Sequence, residues 1–176
     1  MKPRGILMTE HRLIERMIVI IQKEIAEIER GRQIDKFTIN PIIDFMRFYA
    51  DQTHHGKEEN ILFRQLAKKE MTEEDSKLMA ELIDEHKFAR TATEDIINAE
   101  EKFFKGQNTI GIIITTFNSL VRLYPRHIQK EDDIFFPNSE TYLTDEELEA
   151  MVTKFEDFDR TMIHKKYKSL IEQFEE

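Results

Sequence analysis

Apolar residues recur along most of the chain at alternating spacings of three and four, which is the period of an amphipathic α-helix. Five stretches follow this period, at about residues 7–30, 40–70, 72–106, 108–136 and 144–174. Asn40 and Pro41 fit the cap and the first turn of the second stretch, and Thr72 and Thr144 are candidate caps of the third and fifth. The pattern predicts helices throughout.

The scarcity of helix-breaking residues supports long helices joined by short turns. The chain of 176 residues has only 5 glycines and 4 prolines. We therefore predict an all-α protein, an up-down-up-down four-helix bundle with an additional C-terminal helix. The bundle should span about residues 5–137 and the last helix about 144–175, within a single domain of residues 1–176.

One histidine occupies a core position in each of the first four helices. The four are His11, His54, His86 and His127. Glu58 and Glu131 follow the second and fourth of them by four residues, and residues at that spacing lie on one face of a helix. The order His, then His-x3-Glu, therefore occurs twice in the chain, as an internal repeat.

These six side chains are predicted to meet at one level of the bundle. Each lies at a similar distance from the turn that joins it to the next helix, and a helix rises by about 1.5 Å per residue. Without a metal, each buried polar group left unpaired would cost roughly 1–3 kcal/mol. We therefore predict a buried metal site formed by His11, His54, Glu58, His86, His127 and Glu131.

His55 competes with His54, because His55 and Glu59 also stand four residues apart. When the two halves are aligned, His55 matches the apolar Ile128 and His54 matches His127, so His54 is chosen and His55 is placed beside the site.

Several polar residues next to these motifs have expected roles outside the ligand set. Glu10 and Glu85 are expected to be solvated, and Lys57 and Lys130 to point away from the metal, serving solubility or an ion pair. His164 has no carboxylate four residues later and is expected at the surface or in packing.

Tyr124 lies on the inward face, one turn before His127. Two roles are open for it: a core phenol hydrogen-bonded to a carboxylate, or a second-shell donor to an oxygen species on the metal. The first is favoured.

Composition restricts the function further. The formal charge is −9 with acidic and basic residues dispersed, so nucleic-acid binding is not expected. The absence of cysteine excludes disulfides and thiolate ligands. Neither a signal-peptide core nor a membrane-spanning run is apparent, and we expect a cytoplasmic protein with no membrane contact.

Six nitrogen and oxygen ligands, two of them able to bridge, suit a pair of Fe ions best. Mn fits less well, and Zn, which prefers tetrahedral sites, less well again. The ordered set, with its His-His-Gly-Lys-Glu-Glu and Lys-Glu-Asp contexts, resembles the hemerythrin-like (HHE cation-binding) family over about residues 5–137. The resemblance implies a four-helix bundle around two non-haem Fe ions bridged by carboxylates, with an oxo or hydroxo bridge between them.

One position departs from the oxygen-carrying hemerythrins, which have a further histidine where this chain has Leu82. The resemblance then implies a less saturated iron and shifts the expected function from reversible O2 carriage towards sensing of O2 or NO, peroxide chemistry, iron handling or iron-sulfur repair. The repair proteins usually carry a cysteine-containing N-terminal module, and with no cysteine in these 176 residues we do not expect one here.

Three hypotheses follow for the function. The first is a di-iron protein that binds or senses O2, NO or peroxide. The second is a metal-dependent signalling protein whose fifth helix contacts a partner or a second copy in a homodimer. The third is an enzyme such as a ferroxidase or peroxidase.

Overall fold

The computed structural model describes residues 2–31 and 33–175, and these form five long helices. Helix α1 is Pro3–Gly31, α3 is Glu73–Phe104 and α5 is Asp145–Glu175. Two further helices contain both α-helical and π-helical segments. Helix α2 comprises Lys36–Asp44, Phe45–His55, Glu58–Phe63 and Arg64–Leu66, and α4 comprises Ile110–Lys130, Glu131–Phe135 and Phe136–Glu140. The predicted all-α fold is confirmed.

The helix ends agree with the sequence at all but one predicted cap. The Thr72 hydroxyl accepts from the backbone N–H of Asp75 at the start of α3. Thr144 and the residue three positions later form a reciprocal capping box at the start of α5. The predicted start of α2 at Asn40 is wrong: α2 begins at Lys36, because the Asp35 carboxylate caps it by accepting from the N–H of Phe37 at 3.1 Å.

The four bundle helices each pack against their neighbours in the chain, and α1 also packs against α4, which closes the ring. Helix α5 lies outside this ring against α1 and α2. Within the described residues, no helix is both long enough and apolar enough to cross a bilayer.

The apolar core is divided into two clusters along the bundle axis. The larger one is formed mainly by isoleucines, with Phe117 and Tyr124. The smaller one, which includes Leu7, Leu82 and Phe136, is covered in part by α5. In α1 to α4, the predicted metal-site residues lie in sequence between residues of one cluster and residues of the other. The site is therefore enclosed by apolar side chains on both sides.

Three segments of α2 and α4 are π-helical, and they contain His54, Glu58 and Glu131, whereas His127 lies in the α-helical part of α4. They are Phe45–His55, Glu58–Phe63 and Glu131–Phe135. A π-helix has wider turns than an α-helix and is often found at functional sites. The altered turns change which neighbouring residues face inwards around the motifs.

Candidate metal centre

The structure brings all six predicted ligand residues together in the interior. They fall into two groups, and within each group the ligand atoms lie within 4.8 Å of one another. One group is formed by His11, His54, Glu58 and Glu131. The other is formed by His86 and His127 together with His55. Every one of these residues is at most 2% exposed. Six side chains distant in sequence thus converge on one enclosed volume.

Glu58 and Glu131 connect the two groups. The two oxygens of Glu58 diverge, with Oε1 at 3.3 Å from Nε2 of His54 and Oε2 at 3.4 Å from Nε2 of His86. Oε2 of Glu131 lies 3.2 Å from Nε2 of both His11 and His127. Each carboxylate can therefore contact a cation bound by either group.

The outer nitrogens of the two paired histidines are held by glutamates that precede the lone histidines. Nδ1 of His54 donates to Glu10 at 2.9 Å, and Nδ1 of His127 donates to Glu85 at 2.8 Å. The expectation that these glutamates are solvated is wrong, because each accepts a hydrogen bond from an imidazole, and Glu10 is only 9% exposed. A hydrogen bond at Nδ1 fixes the tautomer that leaves Nε2 free for a metal.

The lone histidines are held by acidic residues from the opposite motif. Nδ1 of His11 donates to Asp132 at 2.7 Å, and Nδ1 of His86 donates to Glu59 at 2.9 Å. Both acids directly follow the glutamates of the His-x3-Glu motifs. The Glu-His dipeptides and these acidic neighbours were a signal in the sequence that could have identified this outer layer.

Two lysines complete the outer layer, and they differ between the halves. Lys57 is fully buried and donates to Glu10 and, at 2.7 Å, to Asp159 of α5. Lys130 donates to Glu85 and to an exposed glutamate, and its side chain stays 23% exposed. Both lysines form ion pairs, as expected, but Lys57 does not contribute to solubility because it is buried.

The sequence predicts that His55 lies beside the site, and the structure places it inside. It is 1% exposed, and its ring stacks on that of His86 with centroids 3.8 Å apart. Burial is the main reason that the pKa of His55 falls well below its ordinary value, so the imidazole is neutral. The side chain belongs to the group formed with His86 and His127.

Tyr124 is also in the interior, 2% exposed, and contacts the site through its ring. Its ring stacks parallel to that of His55 at 6.2 Å and lies edge-on to His127 at 6.4 Å. Burial raises its pKa far above the ordinary value, so the phenol keeps its proton. His164, in contrast, is exposed as expected.

Carboxylates dominate the electrostatics of the imidazoles. Burial opposes the protonation of His11, yet Asp132 and Glu131 outweigh it and raise the pKa to about 9. In the same way, Glu131 overcomes the burial of His127 and raises its pKa to about 10. A cation entering the site would displace these protons, since metal ligands must be deprotonated.

The donor set fits a bound cation. Nε2 of His11 and His54 and all four oxygens of Glu58 and Glu131 are buried and have no hydrogen bond of good geometry. Nε2 of His11 lies 3.2 Å from Glu131, and Nε2 of His54 lies 3.3 Å from Glu58. Such unpaired groups are costly in a protein interior unless a positive ion between them satisfies them all.

Comparison with known proteins agrees with this geometry. The model of the hemerythrin HHE cation binding domain matches residues 2–138, which contain all the residues of the site. No curated protein and no solved structure gives a significant match.

Proposed function

The chain belongs to the hemerythrin HHE cation-binding family, and from that premise we propose that it is a non-haem di-iron protein that binds or senses O2, NO or peroxide. The two irons would be held by His11, His54, Glu58, His86, His127 and Glu131.

The divergent oxygens of Glu58 are the observation that carries this proposal. Oε1 lies beside His54 and Oε2 beside His86, so one carboxylate reaches both groups of imidazoles. A single ion would use only one side of this carboxylate. Two ions would use both, and Glu131 would hold them from α4, since its Oε2 lies 3.2 Å from Nε2 of both His11 and His127.

The chemistry of the donors is compatible with iron. They are imidazoles and carboxylates, and the chain has no cysteine, which suits Fe or Mn better than Zn. When bound, the iron pair would supply the electrons and the coordination positions that O2, NO or peroxide needs.

The protein's own contribution is to orient the donors and keep bulk water away. Each of the four imidazoles is held at Nδ1 by a carboxylate, which directs Nε2 inwards. Apolar clusters enclose the site from both sides. A small uncharged molecule can cross such packing more readily than a charged one.

Metal loading followed by gas titration tests the proposal. The purified protein, loaded with Fe²⁺ under anaerobic conditions, should contain two irons per chain and should change its optical spectrum on addition of O2 or NO. Glu58→Ala should lose iron, and the exposed His164→Gln is the matched control that should retain it. One iron or none in the wild type would refute the dinuclear centre, and no spectral change with any of O2, NO or peroxide would refute the ligand chemistry.

A specific contact favours the signalling function as the second candidate. Nδ1 of His54 donates to Glu10, Lys57 donates to the same glutamate, and Lys57 also donates to Asp159 on α5. A metal that moves His54 would act on α5 through this path. Hydrogen exchange in α5 should then differ between metal-free and iron-loaded protein, and Asp159→Asn should reduce that difference.

A further inference from the structure

We propose that two copies of the chain associate through the face formed by α3 and α4, and that the two-fold axis relating them runs parallel to these helices. The face contains an open groove of about 620 Å³ between the two helices. Phe88 and Leu123 are the large apolar side chains that line it, and Phe88 is 50% exposed. The charges around the groove identify a second copy as the occupant.

The α3 side of the groove is acidic. Glu81, Asp84 and Asp95 lie on the same side of this helix as Phe88, because the four residues follow one another at spacings of three, four and seven. All three carboxylates are exposed. Asp84 pairs with Lys87 at 2.8 Å, but an exposed pair of this kind contributes little. This side can therefore accept cationic groups from another molecule.

The α4 side of the groove is basic. Arg122 and Arg126 lie on one side of this helix, together with Ser119, and both are exposed. Arg122 reaches the hydroxyl of Ser119 at 3.5 Å, and within residues 2–31 and 33–175 neither guanidinium contacts a carboxylate. In a chain with 35 acidic and 26 basic residues, two neighbouring guanidinium groups without a carboxylate are available to bind acidic residues of another molecule.

A two-fold rotation matches the acidic side to the basic side. Helices α3 and α4 run antiparallel, and Glu81 stands level with Lys130, from which it accepts a hydrogen bond. Glu85 stands level with His127 in the same way. Rotation about an axis parallel to the helices lays α3 of one copy over α4 of the other at the same level, so that acidic meets basic twice. An axis across the helices would lay α3 over α3, which like charges disfavour.

The same rotation brings specific side chains together. Asp84 of each copy lies within one helical turn of the level of Arg126 in the other. Phe88 of each copy enters the groove of the other beside Leu123. The face is about 20 Å wide and about 20 Å long, so the pair buries roughly 1,000 Å², the lower limit for specific association. We therefore expect a closed dimer that dissociates on dilution.

Helix α5 also has exposed apolar side chains, but its charges argue against a second copy there. Tyr167 is 60% exposed, in a stripe with Ile163 and Ile171. Lys166 and Lys168 flank it in the sequence. Two such helices paired around Tyr167 would bring lysines against lysines. The face formed by α3 and α4 has no such conflict.

Charge reversal at two positions of the full chain tests the proposal. Arg126→Glu and Asp84→Arg each place like charges at both contacts across the axis, and each should raise the Kd of the dimer at least about tenfold. An equal mixture of the two variants should restore the dimer, because the two reversed charges attract each other at one contact and the natural pair forms at the other. Sedimentation equilibrium measures the mass, which is 21.1 kDa for one chain and twice that for the dimer. Both positions are exposed, so circular dichroism should show the helix content of the wild type.

Two substitutions of aromatic residues locate the interface. Phe88→Asp should dissociate the dimer, whereas Tyr167→Asp is the matched control on α5 and should leave the Kd unchanged. A wild type that stays monomeric up to about 1 mM overturns the inference. So does a mixture of the charge-reversed variants that stays monomeric where the wild type is a dimer, or a dimer that is lost with Tyr167→Asp and kept with Phe88→Asp. Each of these outcomes leaves the di-iron function intact, since the iron content tests that separately.

Discussion

Replacing Lys57 by methionine should destabilise the protein strongly, whereas the same change at Lys130 should not. The two lysines hold equivalent positions in the repeat, and each donates to the glutamate that supports a metal-site histidine. Methionine keeps the apolar stem of lysine and removes the charge. The comparison therefore isolates the effect of burial on the ion pair.

The magnitudes follow from exposure. The Lys57 side chain is 0% exposed, that of Glu10 is 12% and that of Asp159 is 36%. Removing one member of a buried pair costs about 3–5 kcal/mol, and we reduce this to about 2–4 kcal/mol because Asp159 reaches solvent and Glu10 keeps its bond to His54. Lys130 is 23% exposed and its partner Glu81 is 58% exposed, so its loss should cost roughly 0.2–1 kcal/mol.

Urea unfolding of metal-free protein measures both changes. With a denaturant slope of about 3 kcal/mol per molar, Lys57→Met should lower the midpoint by about 1 M, and Lys130→Met by at most about 0.3 M. The slopes must agree with the wild type for the midpoints to report stability. Equal shifts for the two variants, or a shift under about 0.3 M for Lys57→Met, would refute the reasoning from burial.

Three further predictions concern the hydrogen bond between Glu10 and His54, the protonation of His11 and the packing of α5 against α2. Glu10→Gln should weaken iron binding by about 10–100-fold, because His54 loses its carboxylate, and competition with a chelator measures this; an unchanged affinity would contradict it. The pKa of His11 is about 9 in the folded protein and 6.5 in the unfolded chain. Protonation of His11 therefore stabilises the metal-free protein by roughly 3 kcal/mol below pH 6.5, and this stabilisation is lost as the pH rises through 9. Thermal melts between pH 6.5 and 9.5 should show this loss without iron, and a flat profile would count against it. In Gly56→Ala the new methyl group would lie 2.9 Å from a phenylalanine ring of α5, and the substitution should destabilise the protein by about 1–3 kcal/mol. In Gly111→Ala the methyl group contacts nothing, and the substitution should stabilise the protein by about 0.4–1 kcal/mol. Similar melting temperatures for the two variants would contradict this prediction.

The helices could be predicted because their signal is local. A three-and-four spacing of apolar residues reports the buried face of a helix whatever it packs against. The start of α2 was missed since Phe37, in its first turn, is 91% exposed and breaks the apolar period. The π-helical turns were also missed, because no residue pattern specifies them and tertiary packing decides where they form.

The six candidate ligands could be predicted because the order His, then His-x3-Glu, occurs once in each half of the chain. The roles of His55 and of the carboxylates that hold the histidines were not predicted. Alignment of the two halves predicts that His55 is not a ligand, because the residue that matches it, Ile128, is apolar. An apolar partner at that position in fact indicates that the position faces the core in both halves. The expectation that Glu10 and Glu85 are solvated fails because the sequence gives no measure of how far a carboxylate reaches across a helix interface.

The two halves are alike in the candidate ligands and differ in what lies behind them. In the first half, His54 is connected through Glu10 and the fully buried Lys57 to a partly buried contact with α5. In the second, the equivalent path from His127 ends at the partly exposed Lys130. A displacement of His54 must move packed groups, whereas a displacement of His127 can be absorbed at the surface. If the centre signals to the rest of the molecule, the half under α5 is therefore the route that we expect.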